Sequence, residues 1–192
     1  MKSTLIFGLY LVIGFQLISC AKKENEIPTP VEMTQEMKVK RGEYLVSSIG
    51  CDDCHSPKIM GPHGPEPDPK RRLSGHPADE QLAPIQDASV LKDYVLFGMG
   101  LTHATGPWGT SFAANLTPDD TGIGNWTEEQ FVKAIREGKS KGMDGTRPLL
   151  PPMPWVVYRN MSDEDLSSIF AYLQTITPVN NSVPNPVPPA VK

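Results

Sequence analysis

The 192-residue chain has 18 Lys and Arg against 22 Asp and Glu, and its net charge of −4 offers no basic face for nucleic acid. Hydrophobic residues at 39% argue against wholesale disorder, while 20 prolines, 16 glycines and 7% aromatics argue against a doubly wound sheet or a long helical bundle. This length suits one modest domain with tails, its core filled in part by something other than apolar side chains, and three cysteines are too few for a disulfide scaffold.

In chain order, Lys2 begins a short positive start and Leu5 to Ile18 is nearly all apolar. Fourteen residues are too few for a membrane span but fit the apolar region of a secretory signal, so residues 1–19 read as a signal peptide. Leu17-Ile18-Ser19-Cys20 closes the run and resembles the lipobox of bacterial lipoproteins. That resemblance implies cleavage before Cys20 and lipidation of its thiol, with two or three acyl chains holding the protein on a membrane. The alternative is an ordinary signal with a chance cysteine at its end. Residues 20–36, polar and broken by Pro28 and Pro30, read as an extended tether.

The folded part is expected over residues 37–178. Val39, Tyr44, Leu45, Val46 and Ile49 fall near one helical face that ends at Gly50 and runs into Cys51. Residues 56–84 hold seven prolines and the basic run Lys70-Arg71-Arg72, and predict an irregular surface excursion. Val90 to Gly98 is compatible with a brief helix or a strand. Two later helices carry clear start signals. Thr127 is the N-cap of one, with Gln130 as capping-box partner, a Trp126–Phe131 staple and Gly138 as C-cap. Ser162 caps the other, with Asp165 in the box position and a Met161–Leu166 staple, and helical spacing continues towards Pro178. Residues 179–192, with four prolines and no periodicity, read as a loose or surface-draped tail. The elements together predict an all-α domain of three to four short helices.

Cys51-Asp52-Asp53-Cys54-His55 is the C-x-x-C-H pattern of covalent c-type haem attachment. Two thiols at this spacing add across the haem vinyl groups, and the next imidazole becomes the proximal iron ligand. At this composition the pattern arises by chance in roughly 0.001 shuffled chains. A structural zinc site would have to recruit His63, His76 or His103 without paired spacing. A thioredoxin-like pair needs a strand-to-helix turn that the sequence does not present. A plain disulfide across two residues is a further alternative.

An electron-transfer haem usually has a second protein ligand, and methionine sulfur is one that raises the potential. Met60, Met99, Met143, Met153, Met161 and the three other histidines are the candidates. Met161 serves as a helix staple, Met60 lies close in sequence to His55, and Met99 and Met143 sit beside glycines. Met153 lies in Leu149-Leu150-Pro151-Pro152-Met153-Pro154-Trp155, where prolines on both sides restrict the backbone and would hold a weak ligand in place. Arg147 would neutralise a haem propionate or stand as an ordinary surface arginine. Trp108, Trp126 and Trp155 are core or haem-packing aromatics, and Tyr44 and Tyr158 are assigned to the core. Asn115-Leu116-Thr117 matches a glycosylation sequon.

Thr105-Gly106-Pro107-Trp108-Gly109, Ala114-Asn115-Leu116-Thr117-Pro118-Asp119, Thr121-Gly122-Ile123-Gly124-Asn125-Trp126-Thr127, Gly145-Thr146-Arg147-Pro148 and Pro151-Pro152-Met153-Pro154-Trp155 form an ordered series. Together with Arg41-Gly42-Glu43-Tyr44-Leu45 and Met161-Ser162-Asp163-Glu164-Asp165-Leu166, the series resembles the cytochrome c domains of bacterial periplasmic respiratory and dehydrogenase-linked chains. The resemblance covers residues 39–178 and implies a cytochrome c-like fold around one covalent haem c. It also implies haem attachment at Cys51 and Cys54, His55 as proximal ligand and Met153 as distal ligand. The leading expectation is an electron carrier rather than an enzyme, lipid-anchored at Cys20, exported to the periplasm or cell exterior, and docking redox protein partners. The alternatives are an electron-accepting subunit of an alcohol- or aldehyde-type dehydrogenase, and a haem sensor with an open sixth site.

Overall fold

Thr34 opens the first helix, α1 (Gln35–Ser48), by accepting a hydrogen bond from the Met37 amide on its hydroxyl, and Ile49 closes it. The computed structural model describes residues 32–189, so Cys20, the signal-like run and the tether up to residue 31 lie outside the described residues. Gly50 adopts a left-handed conformation that turns the chain directly into α2 (Cys51–His55). Thr127 and Gly138 bound α3 (Glu128–Glu137) as the start and stop signals indicate. Ser162 caps α5 (Asp163–Leu173), which ends at Gln174, short of Pro178. The single-turn α4 (Trp155–Tyr158) precedes it.

Both capping boxes form only by half. Thr127 and Ser162 accept the expected backbone hydrogen bonds from Gln130 and Asp165. The partner side chains are used elsewhere, Gln130 donating to the Lys141 carbonyl at 2.8 Å and Asp165 pairing with Arg41 at 2.8 Å. Tertiary partners displace the local reciprocal bond.

The all-α expectation is corrected by two antiparallel sheets among the described residues. A hairpin of β1 (Lys58–Gly61) and β2 (Gly64–Pro67) lies inside the proline-rich excursion. A second sheet has the order β3 (Leu96–Phe97), β4 (His103–Gly106), β5 (Gly109–Phe112), with Thr105 opposite Thr110 and His103 opposite Phe112. Strands of two to four residues give too few alternations for a period-of-two pattern to stand out from proline- and glycine-rich loop. The undecided stretch near residue 90 contains a 3-10 turn (Ala88–Lys92) followed by β3.

Helices α1 and α5 cross closely and carry most of the core. Leu45 and Val46 of α1 meet Ile169, Tyr172 and Leu173 of α5, joined by Phe131 of α3 and by Leu73 and Ile123 from loops. The crossing depends on Gly42, where a Cβ would overlap the Ser168 carbonyl and the Tyr172 Cβ. Of the terminal segment, residues 179–189 lie against the domain. Asn181 donates to the Ser74 and His76 carbonyls at 2.7 and 2.8 Å, and Val187 bridges Thr110.

Candidate haem-binding site

Helix α2 places Cys51 and Cys54 one turn apart with His55 next in line, so the geometry follows from helical spacing alone. Both thiols are free and half-buried. Burial and then the neighbouring Asp52 push the Cys51 thiol up to about 12. Burial followed by Asp53 raises the Cys54 thiol in the same direction. His55 Nδ1 donates to the Ala114 carbonyl at 2.8 Å, which fixes the tautomer and leaves the Nε2 lone pair for a metal. Burial holds this imidazole below its usual pKa, and the Ala114 bond opposes that effect.

The Ala114 carbonyl is itself held in position. A short ladder joins residues 55 and 73–76 to residues 113–116, through Gly75 to His55, His76 to Ala113 and Leu116 to Leu73 backbone bonds of 2.7–2.9 Å. Asn115, only 3% exposed, accepts from the Thr117 amide and hydroxyl and donates to the Val179 carbonyl. The sequon asparagine is thus a buried brace of the loop that aims His55.

A polar collar secures α2 from below, and the sequence did not announce it. Arg72 donates to both oxygens of Asp52 at 3.0 and 2.6 Å, to Tyr172 Oη at 2.6 Å and to Ser47 Oγ at 3.2 Å. Ser56 Oγ donates to Asp52 at 2.7 Å and accepts from the Leu73 amide at 2.8 Å. Lys58 Nζ donates to the carbonyls of Asp52, Asp53 and Ser56, capping the C-terminal end of the helix where a positive charge is favoured. Burial is the first cause holding this ammonium below its usual pKa. In the Lys70-Arg71-Arg72 run, Arg72 is therefore an internal tie and Arg71 pairs with Asp68 at 2.8 Å. No short pattern marks these residues, because their partners lie up to 100 positions away.

Among the methionines, Met60 and Met99 stand 80% and 93% exposed, whereas Met153 is half-buried. The loop that carries Met153 is anchored where Ser111 Oγ donates to the Pro151 carbonyl at 2.5 Å. Two residues beyond Met153 the chain enters α4, whose Tyr158 hydroxyl donates to the Ile49 carbonyl at 2.6 Å, two residues before Cys51. Burial raises the Tyr158 phenol, with the charges of Cys51 and Cys54 adding to the effect, so this ring belongs to the thiols' surroundings. The Tyr158–Ile49 bond ties α4, which follows the Met153 loop, to the end of α1 just ahead of the cysteine helix. Met161 packs on the core, as does Trp126. Trp155 lies against Gly138, and Trp108 Nε1 donates to Ser111 Oγ at 3.2 Å. Tyr44 is 62% exposed, which removes it from the core.

Arg147 is exposed, donates to the Pro148 carbonyl at 3.0 Å and pairs with no carboxylate among the described residues. Burial of part of the side chain lowers its pKa. The zinc alternative for the cysteines loses its support. Among the described residues, the group of His, Cys and carboxylate ligand atoms close enough to share an ion contains neither cysteine.

No protein-family model matches the chain. It is 41% identical over 159 residues, 82% of its length, to the fructose dehydrogenase cytochrome subunit of Gluconobacter japonicus. It is 33% identical over 150 residues, 77% of its length, to the gluconate 2-dehydrogenase cytochrome c subunit of Pantoea cypripedii. A diheme cytochrome c-type protein of Cereibacter sphaeroides is 28% identical over 184 residues, 93% of this chain. The chain spans 25% of the length of the first two relatives and 50% of the third. These similarities support the cytochrome c family for this chain and imply covalently bound haem c. The residues present fit such a group, since α2 offers two thiols on one face and an imidazole whose Nδ1 is already engaged.

Proposed function

We propose that this chain is a c-type cytochrome that carries single electrons, not a catalytic subunit, and that it accepts them from a dehydrogenase partner. The observation that carries this reading is the alignment of Cys51, Cys54 and His55 on α2 with His55 Nδ1 donating to Ala114. Haem c supplies a one-electron Fe(III)/Fe(II) couple. The chain contributes the proximal imidazole of His55, oriented through Ala114 and made more basic by that bond. Met153 would be the distal ligand in this reading, on the loop that Ser111 anchors at the Pro151 carbonyl. Arg147, free of carboxylates among the described residues, is available to a propionate. The single C-x-x-C-H in the sequence gives one haem for this stretch.

The kinship with gluconate and fructose dehydrogenase cytochrome subunits favours a dehydrogenase as electron donor, with a second redox protein as acceptor. The lipobox-like Leu17-Ile18-Ser19-Cys20 supports an N-terminal lipid anchor at Cys20, a tether over residues 20–36 and a location facing the periplasm or cell exterior. Among the described residues no helix is long and apolar enough to cross a membrane. The test is the reduced and oxidised spectrum of the haem-loaded full chain. Met153→Ala is expected to retain covalent haem while losing the sulfur-to-iron absorption near the red end. Survival of that band would reassign the ligand, and carbon monoxide binding by the unmodified reduced protein would replace the carrier reading with an open-site sensor.

A further inference from the structure

His76, Glu80 and His103 are separate from α2 and its collar, and nothing in electron transfer requires them. His76 is 1% exposed, yet its Nε2 has no hydrogen-bond partner, and His103 Nδ1 is likewise buried and unpartnered. Buried polar atoms are nearly always satisfied, so two orphaned imidazole nitrogens in one place need a cause. They face a carboxylate: His103 Nδ1 lies 3.9 Å from Glu80 Oε1, and one ligand atom from each of the three residues falls within 4.8 Å of the other two.

We propose that these three side chains form a binding site for a divalent first-row transition cation, with zinc the best match to the donor set. Two imidazole nitrogens and one carboxylate oxygen are a ligand set typical of zinc sites that keep one coordination position open. Zinc–ligand bonds of 2.0–2.2 Å place ligand atoms about 3.4 Å apart, so the triangle closes by roughly 1 Å on binding. The element able to make that adjustment is Glu80, which sits on an exposed turn after Pro77.

The two imidazoles are held more firmly. His76 Nδ1 meets Thr102 Oγ1 at 2.9 Å, and with Nδ1–H donating, the Nε2 lone pair points to the cluster. The His76 backbone is fixed by its amide to Ala113 and its carbonyl to Asn181. His103 stands on β4 opposite Phe112, and the rings of His76 and His103 meet edge-on at 5.1 Å with Phe112 4.7 Å from His76. Gly98 leaves room for the His103 ring, which a Cβ there would overlap. Burial keeps His76 below its usual pKa, with Glu80 opposing and His103 reinforcing the effect, so a neutral ligand is present near pH 7. A groove of about 390 Å³, lined by Pro57, Met60, Pro77, Glu80, Met99 and Thr102, opens on the Glu80 side of the cluster.

The test uses the haem-loaded full chain, in which the thiols of Cys51 and Cys54 are consumed and cannot bind zinc. After chelator treatment, zinc chloride is titrated calorimetrically and bound zinc is counted against haem iron. One zinc per chain is expected, with a zinc-edge X-ray absorption spectrum showing two imidazole ligands. Glu80→Gln, on an exposed side chain, is expected to weaken binding at least 10-fold with an unchanged haem spectrum and melting midpoint. His103→Gln is expected to abolish stoichiometric binding. Absence of zinc in the unmodified chain, or Glu80→Gln binding as tightly as the unmodified chain, overturns the proposal. Glu80→Gln keeps the outcome decisive even where His103→Gln fails to fold.

Discussion

Replacing Arg72 with alanine tests whether the collar under α2 is structural. The guanidinium makes paired hydrogen bonds to Asp52 and single ones to Tyr172 and Ser47, with 31% of its side chain exposed and 17% of that of Asp52. The substitution leaves Asp52 with only the Ser56 hydroxyl and Tyr172 Oη with no partner. Removing one member of a fully buried charge pair costs about 3–5 kcal/mol. Solvent reaches a third of this arginine and recovers part of that, so the expected loss is roughly 2–3 kcal/mol. In a domain of this size the melting midpoint should fall by about 5–10 °C. Arg72→Lys keeps the charge but not the paired geometry, and should lie between the two. The assay is denaturant and thermal unfolding of the haem-loaded chain, with Asp52→Asn and the double variant completing a cycle. A coupling of about 1.5 kcal/mol or more between positions 52 and 72 is expected. A coupling below about 0.5 kcal/mol would refute the collar as a structural tie and return Arg72 to the solvated surface.

Two further perturbations follow from the geometry. Gly42→Ala gains about 1 kcal/mol of helix propensity but drives a methyl into the Ser168 carbonyl, and the overlap should win, with a net loss of about 1–2 kcal/mol in unfolding experiments; a stabilised variant would mean that α1 and α5 separate at no cost. Asp144 is held down to about 2, from an ordinary 3.8, by hydrogen bonds first from Lys133 and then from Lys139. Its contribution to stability is therefore present above pH 4 and disappears as the pH falls towards 2. Asp144→Asn should melt below the unmodified chain at pH 5, with the two midpoints converging near pH 2, and parallel curves across that range would contradict the pairing.

Local chemistry was legible where it repeats at short range. The cysteine spacing, the Thr127 and Ser162 caps, the Gly138 stop and the apolar faces of α1 and α5 are all encoded within a few residues of where they act. The sheets were not legible, because β1 to β5 are two to four residues long and are set by hairpins in proline- and glycine-rich chain. The use of polar side chains was also beyond reach. Gln130 and Asp165 have the identity of capping-box partners, but competing tertiary acceptors and cations claim them.

The sequence alone determined that two thiols and an imidazole lie within five consecutive residues, because covalent connectivity keeps them together whatever surrounds them, and the structure added that they share one helix. The tertiary structure decided everything that depends on distant segments meeting. It brought Ala114 to His55, Arg72 to Asp52, Tyr158 to Ile49, and two histidines 27 positions apart to one carboxylate. Such pairings satisfy buried donors and acceptors that no local pattern can pair, and they arise only once the core has closed around them.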